Sequence, residues 1–427
     1  MKFYHLILYG EFFLARKIGL SSKEDLHGKK ILLRVDINCP ISKDGKILDD
    51  SRIRIHSGTV KRLLENGAAV VILAHQGRPG MDDFTDLSEH AKLLGEYVGT
   101  EIRFVDDVMG PESISMIKKL SPGEALMLDN VRFLAEESIE ASGEFHARSY
   151  LVRRLSPYFD YFVNDAFATA HRKHASIVGF PYTLPSLAGD VMEREIIALT
   201  EIKDPRLSPK VFVLGGAKIS DSVRILKNIL GNYRDSKVLL TGLLSELFFL
   251  SAGINLGKMS REKLERVGAL TLVGNVREIY LKYRDRLLLP VDYILEDGST
   301  MKVGENYADS KEIRDIGSET VSLYEEEMRR ARVIVLRGPA GVIEDKRFRR
   351  GSLELIKSAL RTNAKVIVGG GHLTAILEEL SPEERNKAHN STGGGALLLF
   401  LGGEELPAIE ALAHSAEKFN LKGIELP

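Results

Sequence analysis

The sequence predicts an α/β protein with parallel sheets in two domains, and three observations carry that reading. Short β-branched and aliphatic runs recur along the chain with almost no polar residue inside them, as strands buried on both faces of a parallel sheet require. Helical stretches separate these runs, the alternation that right-handed crossovers produce. The 427 residues exceed the roughly 250–300 that a single core supports, so two domains are expected.

The strands are read, in order, as ILLRVDIN (31–38), AVVILAHQGRP (69–79), LMLDNVRF (126–133), YFVNDAFATAHR (161–172), VFVLGGAK (211–218), VLLTG (238–242), VDYIL (291–295), VIVLRGP (333–339) and VIVGGGH (366–372). Helices are expected at Thr59–Asn66, Asp86–Tyr97 and Glu144–Leu155 in the first half. In the second they are expected at Ser222–Leu230, Ser260–Val267, Ser318–Ala331, Gly351–Leu360 and Thr374–Leu380. The Pro- and Gly-rich FPYTLPSLAGD marks a boundary near Pro181–Glu195, and the helical EREIIALTEI after it is suited to a rigid connector. A helical ALLLFL (396–401) and then LPAIEALAHSAEKF (406–419) would carry the chain back to the first domain. The expected domains are therefore 1–186 with 405–427, and 187–404 including the connecting helix. In MKFYHLILYGEFFLA the apolar run is broken by His5, Gly10 and Glu11 and lacks a small-residue cleavage site. A strand or helix packed on the body is expected there, with a disordered extension from a mis-assigned start as the alternative, and not a signal peptide or a membrane span.

Composition excludes some partners. With 59 basic and 60 acidic residues and a net charge of −1, nothing attracts the whole molecule to nucleic acid or an anionic membrane. Any anion site must be local. Cys39 is the sole cysteine, which rules out an intrachain disulfide and agrees with a reducing, cytoplasmic setting.

Polar residues collect where the strands stop, and in open parallel sheets ligands sit beyond the carboxyl ends of strands. Up to Arg172 these ends carry Asp36, Asn38, His75, Arg78, Asn130, Arg132, His171 and Arg172, with Arg52 following the first strand. Converging guanidinium groups suit bidentate binding of phosphate or carboxylate, whereas any one of them alone reads as a solvated loop residue. Asp36 and Asn38 are suited to accept from a substrate hydroxyl or to hold an arginine in place. From Gly215 on, glycines replace the arginines. LGGAK ends a strand and opens a helix, so free backbone N–H groups and the helix dipole can meet phosphate oxygens, with Lys218 adding a point charge. RGPAGVIE, VGGGH and STGGGA repeat the pattern, and Gly351-Ser352 offers a further N–H and hydroxyl. Two half-sites follow, one for a small anion and one for a polyphosphate. There is no Walker A or G-x-G-x-x-G spacing, no zinc-type cluster and no serine or cysteine nucleophile motif. His174 reads as a loop histidine with a local partner.

Taken in order, RVDIN, HQGRP, DNVRF, NDAFATAHR, GGAK, GPAGVIE and STGGGA resemble the phosphoglycerate kinases from Leu20 onward. The resemblance implies two Rossmann-like domains with parallel sheets, joined by a hinge helix, the C-terminal segment returning to the first. It implies reversible phosphoryl transfer between ATP and the carboxylate of 3-phosphoglycerate, in glycolysis and gluconeogenesis, with hinge-bending closure. Carried over by motif, Asp36, Ile37, Asn38, Arg52, His75, Gln76, Gly77, Arg78, Arg132 and Arg172 would bind 3-phosphoglycerate. Gly215, Gly216, Lys218, Gly338, Gly341, Glu344, Gly370, Gly371, His372 and Leu373 would bind the nucleotide, and Arg52 and Lys218 would be catalytic. ATP or ADP and Mg2+ are the implied cofactors, with no protein ligand to the metal assigned. The implied partners are small molecules only, and a monomer is expected with a dimer left open.

Three positions depart from the common family pattern. Ser222 stands where a second lysine follows GGAK, His372 replaces the aspartate of GGGD, and Arg337 replaces an asparagine before Gly338. The first two resemble the archaeal branch. Two other readings remain at this point: a kinase for a different carboxylate or carbamate, and a catalytically silent nucleotide-binding protein.

Overall fold

The computed structural model describes residues 16–42, 44–305 and 308–426; the expectation for the first fifteen residues lies outside them. Two compact units emerge. One holds the described residues up to Ala166, with Arg172–Glu193 and the segment from Pro407; the other holds Phe167–His171 and Arg194–Leu406.

The first unit contains β1 (Lys17–Gly19), β2 (Lys30–Arg34), β3 (Ala69–Leu73), β4 (Ile102–Val105), β5 (Ala125–Leu128), β6 (Tyr161–Asn164) and β7 (Ser186–Ala188). Six of these form one sheet in the order β4-β5-β3-β2-β6-β7, every pair parallel. Both faces are buried. Ile31, Leu33, Val70 and Ile72 pack on one side, and Leu32, Val71, Leu73 and Phe162 on the other. That two-sided burial is why these strands read as unbroken apolar runs.

The second unit contains β8 (Lys210–Leu214), β9 (Ser236–Leu240), β10 (Leu287–Leu288), β11 (Asp292–Leu295), β12 (Thr300–Lys302), β13 (Ile313–Ile316), β14 (Val333–Arg337), β15 (Lys365–Gly369) and β16 (Ala388–Ser391). Its parallel sheet runs β10-β9-β8-β14-β15-β16. The last strand, β17 (Gly423–Glu425), belongs to the first unit and pairs antiparallel with β1. The helix before it, Pro407–Lys418, is fixed there by the Ser415 hydroxyl, which accepts from Ser186 N at 2.9 Å and donates to Leu184 O at 3.1 Å. The expected return of the C-terminal segment is therefore present.

Several elements differ from expectation. VDYIL is not a strand of the parallel sheet: β11 is the centre of a separate antiparallel sheet, β12-β11-β13. The residues after it form a hairpin turn, with Gly298 at φ +84° and Leu295 N bonded to Ser299 O. An Asp-Gly pair signals such a reversal, and it outweighs the apolar content. The helix expected from Thr59 begins at Ser51, which puts Arg52 in its first turn. Glu144–Leu155 is broken into Gly143–His146 and Tyr150–Leu155, because Ser149 caps a new helix start through Val152 N.

In both parallel sheets the chain leaves its first strand to one side and later returns to the other. The order reverses between β2 and β6 in the first unit and between β8 and β14 in the second. Crossovers on either side of a reversal diverge to opposite faces and leave a crevice beyond the strand ends.

Each crevice is braced by a buried carboxylate. Beside β6, Asp165 accepts from His56 Nδ1, Thr59 Oγ1 and Val191 N, each at 2.8 Å. The other ring nitrogen of His56 accepts from Asp36 N at 3.3 Å, so a neutral ring satisfies both neighbours. Burial works to raise the Asp165 pKa, but the bonds from His56 and Thr59 and the His56 interaction hold it below the usual range. In the second unit Asp315 accepts from Gly351 N at 2.7 Å and Ile316 N at 2.9 Å. It is buried deeply enough to push its pKa up to about 7.

Replacing Asp165 by Ala strands three buried donors and should cost about 3–5 kcal/mol, read by urea unfolding followed by circular dichroism. Because its folded pKa is depressed, the ionised Asp165 stabilises the fold above about pH 4, the unfolded value, and that contribution disappears as pH falls through the folded pKa. Asp315 has the opposite sign. The folded protein keeps its proton between about pH 4 and pH 7 where the unfolded chain has lost it, so stability falls as pH rises through that window. The thermal midpoint of Asp315→Asn relative to the parent should therefore improve between pH 5 and pH 8; a constant difference would show that Asp315 does not titrate there.

Candidate active site

The carboxyl ends of β2, β3, β5 and β6 bring the basic residues together. Arg34, the last residue of β2, is fully buried; Nε donates to Ser176 Oγ at 2.9 Å, Nη1 to Val35 O, and Nη2 meets His75 Nδ1 at 3.0 Å. Beneath it Glu137 accepts from Ser176 N at 2.8 Å and Ser176 Oγ at 2.7 Å. Arg132 is buried and donates to Gly77 O. Its pKa is lowered to about 10, first by burial and then by Arg172, Arg34 and Arg78. Arg172 is lowered by burial and by Arg78, and its Nε finds no acceptor among the described residues. These mutual repulsions mark Arg34, Arg78, Arg132 and Arg172 as near neighbours at the carboxyl ends of the parallel strands. Arg52 joins through an ion pair with buried Asp36, and Arg78 is exposed.

The other predicted residues of this half divide by what their side chains do. Asn38 accepts from Gly77 N at 2.8 Å and its own N–H bonds Asp36 Oδ1 at 3.3 Å, locking two strand ends. The Gln76 amide is wholly engaged with protein: it accepts from Cys39 N, donates to Cys39 O and Asp83 O, and meets His90. Ile37 is buried in the core. His75 lies under Arg34, and burial together with Arg34, Arg132 and Arg172 holds its pKa well below the usual range; it is neutral and adds no charge. His174 behaves likewise, pushed down to about 3 by burial and the arginines, and contacts Glu140 at 3.1 Å. Sequence reasoning missed Arg34, Glu137 and His56. The signal for the first was available, since an arginine inside an apolar strand must be paired when buried.

In the second unit the glycine loops converge at the β8–β14 reversal. Gly215 N donates to Arg337 O and Gly216 N to Pro339 O, both at 2.9 Å. A Cβ on Gly338, which sits at φ +77°, would lie 2.2 Å from Gly215 O, and one on Gly215 would lie 2.2 Å from Thr241 Oγ1. These glycines therefore let three strand ends touch, and the N–H groups of Gly215 and Gly216 are taken by protein carbonyls. The N–H groups of Ala217 and Lys218, where helix Ile219–Asn232 begins, and of Gly371 and His372, which open helix Gly371–Glu378, are among those that bond no protein carbonyl. Lys218 is exposed. Ser222 is buried and donates to Lys218 O at 3.0 Å. Leu373 lies in the core.

Gly351 and Ser352, expected as phosphate donors, are also taken: Gly351 N bonds Asp315, and Ser352 Oγ accepts from Ala340 N at 2.8 Å. Both brace the Gly338–Glu344 loop, and Gly341 packs against Asp315 Oδ1 with no room for a Cβ. Glu344 and His372 are exposed and approach to 3.9 Å. Beyond β16, the Glu195 carboxylate gathers His389 Nε2 at 2.9 Å, Ser391 Oγ and Thr392 Oγ1 at 2.8 Å, and Thr392 N at 2.5 Å. Glu195 lies on helix Asp190–Lys203, so the STGGG turn is tied to the expected connector. Among the described residues no three His, Cys, Asp or Glu side chains gather to hold a metal ion, and no helix is long and apolar enough to cross a membrane.

Known proteins share this arrangement. The family model for phosphoglycerate kinase matches residues 22–404. A phosphoglycerate kinase of Sulfolobus acidocaldarius is 48% identical over 390 residues, 91% of this chain and 94% of that protein. One from Aeropyrum pernix is 45% identical over 411 residues, 96% and 99% of the two chains. The crystal structure of phosphoglycerate kinase from Pyrococcus horikoshii superposes with a TM-score of 0.84 at 38% identity, covering 94% of this chain and all of that one. The Coxiella burnetii enzyme gives 0.79 at 29% identity, covering 93% of this chain and 100% of that one. With the arginine cluster and the glycine loops at the two sheet reversals, these matches establish that the chain belongs to the phosphoglycerate kinase family.

Proposed function

We propose that the phosphoglycerate kinase activity of this chain, phosphoryl exchange between ATP and the carboxylate of 3-phosphoglycerate, uses the two constellations as half-sites. The observation that carries this is the clustering of Arg34, Arg78, Arg132 and Arg172 at the ends of β2, β3, β5 and β6, with Arg52 paired to buried Asp36. Repelling guanidiniums held together by only a few buried acids form a receptor for an anion bearing both phosphate and carboxylate. Arg78, Arg132 and Arg172 bind that anion, Arg52 meets the reacting carboxylate, and Asp36 and Asn38 position these groups. Gln76, Ile37, His75 and Gly77 shape the pocket from behind.

In the second unit the amides of Ala217, Lys218, Gly371 and His372 and the Lys218 ammonium receive the nucleotide phosphates, and Glu344 the ribose hydroxyls. Gly215, Gly216, Gly338, Gly341 and Gly370 allow the close approach. A Mg2+ ion arriving with the nucleotide would be held chiefly by the phosphate oxygens and would neutralise part of their charge.

No general base is needed. A carboxylic acid with a pKa of roughly 3.5 is already ionised at neutral pH, so its oxygen attacks the γ-phosphorus directly and ADP leaves. The barrier is electrostatic: two anions approach and charge spreads over the equatorial oxygens in flight. Lys218 and Arg52 offset it. Transfer also requires the half-sites to meet and water to be shut out, since water would hydrolyse the acyl phosphate.

Arg52→Ala and Lys218→Ala should each lower turnover by about 10²–10³ with unchanged circular dichroism; near-normal turnover would remove that residue from the mechanism. Trapping the product with hydroxylamine in the presence of ATP and 3-phosphoglycerate should yield the hydroxamate, and acetate or carbamate in its place should not. No trapped product from any acceptor would favour a silent nucleotide-binding protein. Small-angle scattering should record a smaller radius of gyration with both ligands than with either alone if closure accompanies transfer.

A further inference from the structure

Arg52 stands in the first turn of helix Ser51–Glu65, where a cation meets the positive end of the helix dipole. Its side chain is 43% exposed and ion-paired with buried Asp36, so the direction of the guanidinium depends on where Asp36 is held. Asp36 lies two residues past the end of β2 and one past Val35, whose N–H bonds Leu73 O. Its own backbone N–H has left the sheet and needs another acceptor. His56 supplies it. Helix Ser51–Glu65 carries Arg52, His56 and Thr59 at four- and three-residue spacing, on one face, and His56 Nε2 accepts from Asp36 N at 3.3 Å.

The other side of this buried ring is fixed. Nδ1 donates to Asp165 Oδ2 at 2.8 Å, and the same oxygen accepts from Thr59 Oγ1 at 2.8 Å. Asp165 Oδ1 accepts from Val191 N at 2.8 Å and Met192 N at 3.4 Å, and Asp165 N donates to Arg34 O at 2.8 Å. Asp165 is thereby tied to β2, to helix Ser51–Glu65 and to the start of helix Asp190–Lys203, and has little freedom to move. A ring anchored by one nitrogen in this way restrains whatever its other nitrogen touches.

We infer that His56 is a positioning residue for phosphoryl transfer: it holds the backbone at Asp36 and, through the Asp36 carboxylate, aims Arg52. This rests on the reading of Arg52 as the group that meets the reacting carboxylate. The test compares His56→Asn, His56→Leu and His56→Gln, each with and without Arg52→Ala, by kcat, by KM for both substrates and by thermal midpoint. Asn keeps a donor for Asp165 but is too short to reach Asp36 N, and Leu keeps neither contact. Gln is long enough to place its amide oxygen at Asp36 N. His56→Asn and His56→Leu should lower kcat about tenfold, part of the hundredfold that a misplaced group can cost, with KM for ATP unchanged. His56→Gln should recover most of that loss. In the Arg52→Ala background the Asn and Leu losses should vanish, since a residue acting through Arg52 then has nothing left to aim.

A His56 that merely supports the fold would lower the midpoint in all three variants and leave the kcat of folded protein intact. That result would overturn the inference, as would an equal further loss on top of Arg52→Ala. Two variants without the acceptor keep the test decisive should one of them fail to fold. A parent that makes no acyl phosphate, or an Arg52→Ala protein with near-normal turnover, would refute the reading of the function or of Arg52, and the inference with it. A parent that transfers and needs Arg52, with His56→Asn and His56→Leu unimpaired, would refute the inference alone.

Discussion

The reversal of strand order in each parallel sheet is the constraint on which the rest depends. Successive crossovers from β2 and from β8 leave on opposite sides of the next strand to pair with them, so no connection fills the space above those strand ends. Whatever side chains the sequence places within a few residues of those ends must face the gap or be bonded away from it. In the first unit they are arginines. In the second they are glycines, and the absence of side chains lets β8, β9 and β14 close to contact at Gly215, Thr241 and Gly338.

The arginine crevice is an electrostatic load that the fold carries in the absence of ligand. Burial and mutual repulsion lower Arg34, Arg132 and Arg172 together, and such crowding is tolerable only with compensation. Glu137 lies beneath Arg34 and Asp36 beneath Arg52, while His75 and His174 remain neutral and so add nothing to the repulsion. An anion entering the crevice relieves a strain already present, so its binding also stabilises the unit. The arrangement gives up some stability for function.

Much of this was legible from sequence because fully buried strands and polar strand ends leave a strong one-dimensional signal. The ends at Arg78, Arg132 and Arg172 were found that way. What failed was of a different kind. Polar AHNS forms β16 at the sheet edge, where apolarity is not required, and VDYIL carried the apolar signal of a parallel strand into an antiparallel sheet. Within the site, residue type identified the loop but not the direction of each group. The N–H groups of Gly215 and Gly216, the Gln76 amide and the Ser352 hydroxyl all turn inward, and only tertiary contacts decide that. Arg34 inside an apolar strand signalled a buried, paired arginine, but not its partners, because Ser176 and Glu137 lie more than a hundred residues away.

A division of labour between charges follows. The buried carboxylates, Asp36, Glu137 and Asp165 in one unit and Glu195 and Asp315 in the other, lie on the protein side of each crevice and hold loops. The exposed charged groups at the strand ends include Arg78, Lys218 and Glu344. A carboxylate can gather several backbone and side-chain donors at once, so it suits the joining of segments from distant parts of the chain. An anionic ligand would be repelled by any such group placed in front. These buried acids therefore lie behind the site, Asp36 holding Arg52 and the others holding loops, while the exposed Glu344 stands apart from them.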